Sequence, residues 1–69
     1  MTAVAYRLKE AAAATGVSVD LIRKALRTTD PAAWPPPLTA RRVGNAANAP
    51  LVIEADVLRE WVARFPEAS

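Results

Sequence analysis

Thr15 to Arg27 reads TGVSVDLIRKALR, and this stretch decides the fold. Gly16 is free to take the left-handed conformation that closes a helix. Val17 is apolar and suited to plug a core. Ser18 is suited to cap the next helix by accepting a bond from an exposed backbone N–H. Asp20 then falls in that helix's first turn, where the dipole favours negative charge. Ile22, Ala25 and Leu26 recur at i, i+3 and i+4, one apolar stripe. Arg23, Lys24 and Arg27 occupy the opposite side. A helix, a turn at glycine and a second helix with a cationic face are the parts of a helix-turn-helix that reads DNA.

Upstream, Tyr6 and Leu8 suit a brief extended lead-in that packs on the core. Arg7 to Ala14, RLKEAAAA, reads as the first helix, since alanine has the best helix propensity. Arg7 stands where a Ser or Thr cap is usual, and Glu10, three residues on, supplies half of a capping box. Leu8, Ala11 and Ala12 are expected to pack across the second helix.

Downstream, the second helix is expected to end near Thr28 or Thr29, because Asp30-Pro31 opposes helix at the residue before proline. Ala32 to Pro37, AAWPPP, reads as an extended polyproline connector, with Trp34 covering an edge of the core. The other reading of Trp34 and the prolines is a ligand for an aromatic-groove domain. Leu38 to Val43 and Leu51 to Ile53 read as two strands joined by the turn-rich GNAANA loop, a hairpin wing. Side-chain alternation sends Arg41 and Arg42 to opposite faces. Glu54 to Phe65 reads as a third helix. Glu54 and Asp56 suit its positive end and Arg64 its negative end. Val57, Leu58, Trp61, Val62 and Phe65 form its apolar stripe, with Trp61 in the core.

The expected fold is therefore mainly α with a small β-hairpin: three short helices plus a two-stranded wing. One domain fills residues 1–69, with the helix-turn-helix at about 8–29, a connector at 30–37, the wing at 38–53 and the third helix at 54–65. A chain this short buries a modest core. It has no cysteine and no histidine, and its only serines are Ser18 and Ser69. With no metal-ligand spacing and no glycine-rich phosphate loop, no enzyme, cofactor or small-molecule effector is expected. No secretory signal or apolar run long enough to span a bilayer is present, so the expected location is cytoplasmic and DNA-associated in a bacterial host.

The net charge of +2 conceals an asymmetry. Residues 1–44 carry seven cations against three anions, and residues 45–69 carry two against four. The positive end coincides with the turn-helix and with Arg41-Arg42, the footprint of a polyanion-binding face. A scattered, solvated charge surface is the competing reading.

This order of parts resembles the excisionase and MerR-like winged helix-turn-helix families. The resemblance is carried by Lys9-Glu10-Ala11-Ala12, Gly16-Val17-Ser18, Ile22-Arg23, Pro35-Pro36-Pro37, Arg41-Arg42-Val43-Gly44, and Asp56-Val57-Leu58 with Trp61. Val19 and Leu21 depart from it, standing where polar residues are commoner. The resemblance implies a phage or mobile-element accessory factor that binds attachment-site DNA, bends it and directs an integrase towards excision. Partners would be double-stranded DNA, neighbouring copies of the chain and an integrase. The alternative is a small phage repressor of the same fold. A chain without a long dimerisation helix or effector domain is expected to fall in one of these classes and not among full MerR-type regulators.

With the second helix in the major groove, its outward N-terminal residues face base edges. Val19 suits a thymine methyl, Asp20 a cytosine amino group and Arg23 a bidentate contact with guanine. A helix-dipole role for Asp20 and simple solvation of Arg23 compete with these. Ser18, Lys24, Arg27, Arg41, Arg42 and Asn45 are expected on the DNA backbone, where contacts position without choosing sequence. Arg7 and Lys9 are further phosphate candidates.

Overall fold

The computed structural model describes residues 4–68. Three helices and a three-stranded antiparallel sheet follow in the order β1 (Ala5–Arg7), α1 (Leu8–Thr15), α2 (Val19–Arg27), β2 (Arg41–Arg42), β3 (Leu51–Glu54) and α3 (Ala55–Ala63).

Local chemistry sets the first two helices. Arg7 holds extended backbone at the N-cap of α1, and its N–H donates to Glu10 Oε1 at 2.8 Å. The reciprocal half of a capping box needs an acceptor that a guanidinium lacks. Gly16 ends α1 at φ 76°, and its N–H donates to the Ala12 carbonyl at 2.9 Å. Thr15 ties the turn together: its Oγ1 donates to the Ala11 carbonyl at 2.7 Å and accepts from the Val17 N–H at 3.2 Å. Ser18 Oγ then accepts from the Leu21 N–H at 3.1 Å and caps α2. Ile22 and Ala25 are fully buried, with Ala11 of α1 buried in the same core and Leu8, Ala12, Val17 and Leu26 packed around it. Helix α2 stops at Arg27; Thr28 turns extended, and its Oγ1 donates to the Lys24 carbonyl at 2.9 Å.

The connector departs from its reading as an extended spacer. Asp30 to Ala33 form a turn, closed by Ala33 N–H to the Asp30 carbonyl at 3.0 Å and by Ala32 N–H to Asp30 Oδ1 at 2.9 Å. The Trp34–Pro35 peptide bond is cis. Pro35 and Pro36 are buried, and the Pro36 carbonyl accepts from Trp61 Nε1 at 2.7 Å. The prolines thus form one wall of the core. Trp34 remains 54% exposed and meets Phe65 edge-on at 5.0 Å, while Phe65 meets Trp61 at 4.7 Å.

The sheet corrects the two-stranded expectation. Strand β3 is central, with β2 on one side and β1 on the other. The open edge of β3 carries backbone groups that need partners, and the lead-in residues supply them as β1. The first wing strand is shorter than 38–43. Leu38 is buried, and its N–H is drawn to the Ala25 carbonyl of α2 at 3.1 Å, so regular pairing starts only at Arg41. Beyond Arg42, Val43 N–H still donates to the Pro50 carbonyl at 2.8 Å.

Register assigns the faces. Tyr6 pairs with Ile53, which is fully buried, so this face meets the helices. Arg7, Val52 and Arg41 lie side by side on the other, outward face, with Glu54 two residues along β3 on the same side.

Glu54 does not open the third helix as expected; it ends β3 and stands as the N-cap of α3 without a side-chain cap bond. Leu58 and Trp61 are buried, Val57 and Phe65 pack against the core, and Val62 leaves the expected stripe at 39% exposed. The radius of gyration, 12.1 Å, is slightly above the roughly 11 Å of a compact chain of this length, as befits a molecule with an exposed 43–50 loop. Among the described residues no helix is long and apolar enough to cross a membrane.

Candidate nucleic-acid interface

Helix α2 is anchored by its inner side and bare on its outer side. Ile22 and Ala25 point into the core, which sends Asp20, Lys24 and Arg27, at i, i+4 and i+7, to the opposite side. Arg23 sits at the flank of that face, one turn along from Val19. Asp20, Arg23, Lys24 and Arg27 are all exposed. Among the described residues no carboxylate comes within 4.0 Å of Arg23, Lys24 or Arg27. Their charge is therefore presented outward with no ion-pair partner among the described residues. Val19 and Leu21 are half-buried, yet neither belongs to the set packed on the core. They leave apolar surface beside the cations. Ser18 is exposed; its Oγ accepts from the Leu21 N–H as the cap, which leaves its O–H free to donate to a phosphate.

The hairpin holds a second group of cations, and here the surroundings differ. Arg41 and Arg42 lie in adjacent positions of β2 and face opposite ways, as alternation requires. Arg41 Nε donates to Glu54 Oε1, forming an exposed ion pair across the outward face of the sheet. Arg42 Nη1 donates to the Ala47 carbonyl and braces the loop from within. Asn45 is exposed in that loop, next to Gly44, whose φ of 127° favours glycine. Both arginines are solvent-accessible but already hold acceptors of their own.

Pairing in the sheet also brings in Arg7. It shares the outward face with Arg41, one strand to either side of Val52. Lys9, at the start of α1, lines a shallow groove of about 260 Å3 with Arg7, Leu8, Pro50 and Leu51. The sequence singled out neither the Arg41–Glu54 pair nor the Arg7–Arg41 juxtaposition. The alternation of Val52 and Glu54 in LVIE was the available signal, but it needed the register of both neighbours to be read.

Among the described residues no group of three or more acidic side chains is arranged to hold a metal ion. Ser69 lies outside the described residues. Comparison with family models, curated proteins and solved structures finds no match.

Proposed function

We propose that this chain is a winged helix-turn-helix protein that binds double-stranded DNA, with α2 entering the major groove and the 43–50 loop lying over the backbone beside it. One observation carries the reading. Helix α2 has a fully buried inner side at Ile22 and Ala25, and its exposed positions bear Arg23, Lys24 and Arg27 against the single anion Asp20, with no carboxylate within 4.0 Å of the three cations among the described residues. A short helix so anchored and so charged is suited to a polyanion groove. Arg23, beside the half-exposed Val19, is the base-reading residue, through guanine. Lys24, Arg27, Arg41, Arg42 and Asn45 hold the backbone.

The finer reading is an excisionase-like accessory factor that bends attachment-site DNA and directs an integrase. It rests on the sequence resemblance. Helix α2 and the hairpin cover about one module's worth of DNA, and neighbouring copies or a partner protein would add specificity to it.

The test is to retain fragments of the source genome on the purified protein at moderate salt and sequence them. Tandem sites beside an integrase attachment core support the excision role. A single promoter site would make the protein a repressor. No enrichment of any fragment would remove sequence-specific DNA binding by the protein alone.

A further inference from the structure

The geometry points to Glu54 as a positioning residue that occupies Arg41 in the free protein and hands it to a DNA phosphate on binding. This inference rests on the DNA-binding reading of the hairpin and adds to it an internal competitor.

Four observations meet at this carboxylate. Arg41 Nε donates to Glu54 Oε1, and a carboxylate offers a guanidinium much the same planar pair of acceptors as a phosphate does. The side chains are 75% and 43% exposed, so the pair sits in water and is weak enough to exchange. Register places Glu54 on the outward sheet face diagonal to both Arg41 and Arg7, so it is the anion of a face that otherwise carries two arginines. Finally, Glu54 is the N-cap residue of α3 and makes no side-chain cap bond there.

The last point supplies the exchange with a second resting place. When Arg41 turns to a phosphate, the released carboxylate still lies at the positive end of α3, where a negative charge is favoured. The sheet face then shows Arg7 and Arg41 together, with the anion drawn back to the helix. In the free protein the same carboxylate lowers the local positive potential and so disfavours casual contact with any polyanion. No covalent bond is made or broken; one hydrogen-bonded ion pair replaces another.

The experiment measures binding to a random 20-base-pair duplex by fluorescence anisotropy across a salt series, for the wild type, Glu54→Gln, Arg41→Ala and the double variant. Circular dichroism checks each fold. Glu54→Gln is expected to tighten binding about two- to five-fold, the range set by one exposed ion pair. In the Arg41→Ala background the same change should leave only the small general gain of removing one negative charge. Glu60→Gln, at an exposed carboxylate with no ion pair among the described residues, measures that general gain on its own. Glu54→Asp keeps the charge but shortens its reach, and it too should bind more tightly than the wild type; it carries the comparison if Glu54→Gln loses helix signal. Equal gains from Glu54→Gln with and without Arg41 would overturn the role of Glu54 while leaving DNA binding intact. Absence of salt-dependent binding in the wild type would overturn both.

Discussion

At the residue scale, the turn between α1 and α2 is a closed hydrogen-bond circuit, and each member has a definable worth. Thr15 Oγ1 both donates to the Ala11 carbonyl and accepts from the Val17 N–H. Thr15→Val keeps the shape and deletes both bonds, so it should destabilise the fold by roughly 1–3 kcal/mol. Ser18→Ala removes the α2 cap and should cost about 1 kcal/mol. Urea melts of the two variants read these losses; unchanged midpoints would mean that the turn is held by packing alone. Ser18, Gly16 and Glu10 were legible in the sequence because caps act within three or four residues. Thr15 was not, because its role depends on where the chain goes after Gly16. Arg23 is the residue on which specificity should turn. Arg23→Ala should weaken a preferred site by roughly 1–3 kcal/mol while leaving random duplex little changed. Parallel titrations of the two DNAs check this, and equal losses would assign Arg23 to the phosphates.

At the scale of elements, the helices followed from periodicity and the sheet did not. Ile22, Ala25 and Leu26 announce the inner side of α2 by spacing alone, and the structure buries or packs all three. Strand β1 spans Ala5–Arg7, too few residues to show alternation, and it exists because β3 offers an open edge. Pairing of that kind joins residues far apart in sequence, so no local pattern reports it. The proline connector misled for a related reason. Its prolines lack N–H groups and look like a spacer, but the Pro36 carbonyl is what the buried Trp61 indole requires. The hairpin itself was legible, while the acceptors held by Arg41 and Arg42 were not. In the DNA-binding reading, Arg41→Ala with Arg42→Ala should lower affinity evenly across sequences. It should also flatten the plot of log affinity against log salt by about 0.9 for each phosphate that is no longer neutralised. A plot of unchanged slope would place the hairpin away from the DNA backbone.

At the scale of the whole molecule, the core is small and has one dominant member. Ala11, Ile22, Ile53 and Leu58 share one buried cluster with Trp61, which is 1% exposed and links α3 to the connector. A chain of this size is expected to be stable by only about 3–10 kcal/mol. Trp61→Ala should remove roughly 3–5 kcal/mol of that and leave much of the chain unfolded at room temperature. Trp61→Phe keeps most of the apolar volume, loses the bond to Pro36 and should fold with a lowered midpoint. Circular dichroism melts distinguish the two; a native-like Trp61→Ala would mean that the connector and α3 do not share one core. The same economy bears on function. The molecule measures 41 × 32 × 18 Å, a thin body with seven of its nine cations on α2, on the hairpin and at Arg7 and Lys9, and the other two, Arg59 and Arg64, on and at the end of α3.

Whether α2 reads duplex DNA is decided most directly by selection from a randomised duplex library with the purified protein. An enriched motif is predicted, and Arg23→Ala is predicted to relax that motif at one position, a guanine. Enrichment of no motif, or a motif that survives unchanged when Arg23, Lys24 and Arg27 are all replaced by alanine, would contradict the assignment of α2 to the major groove.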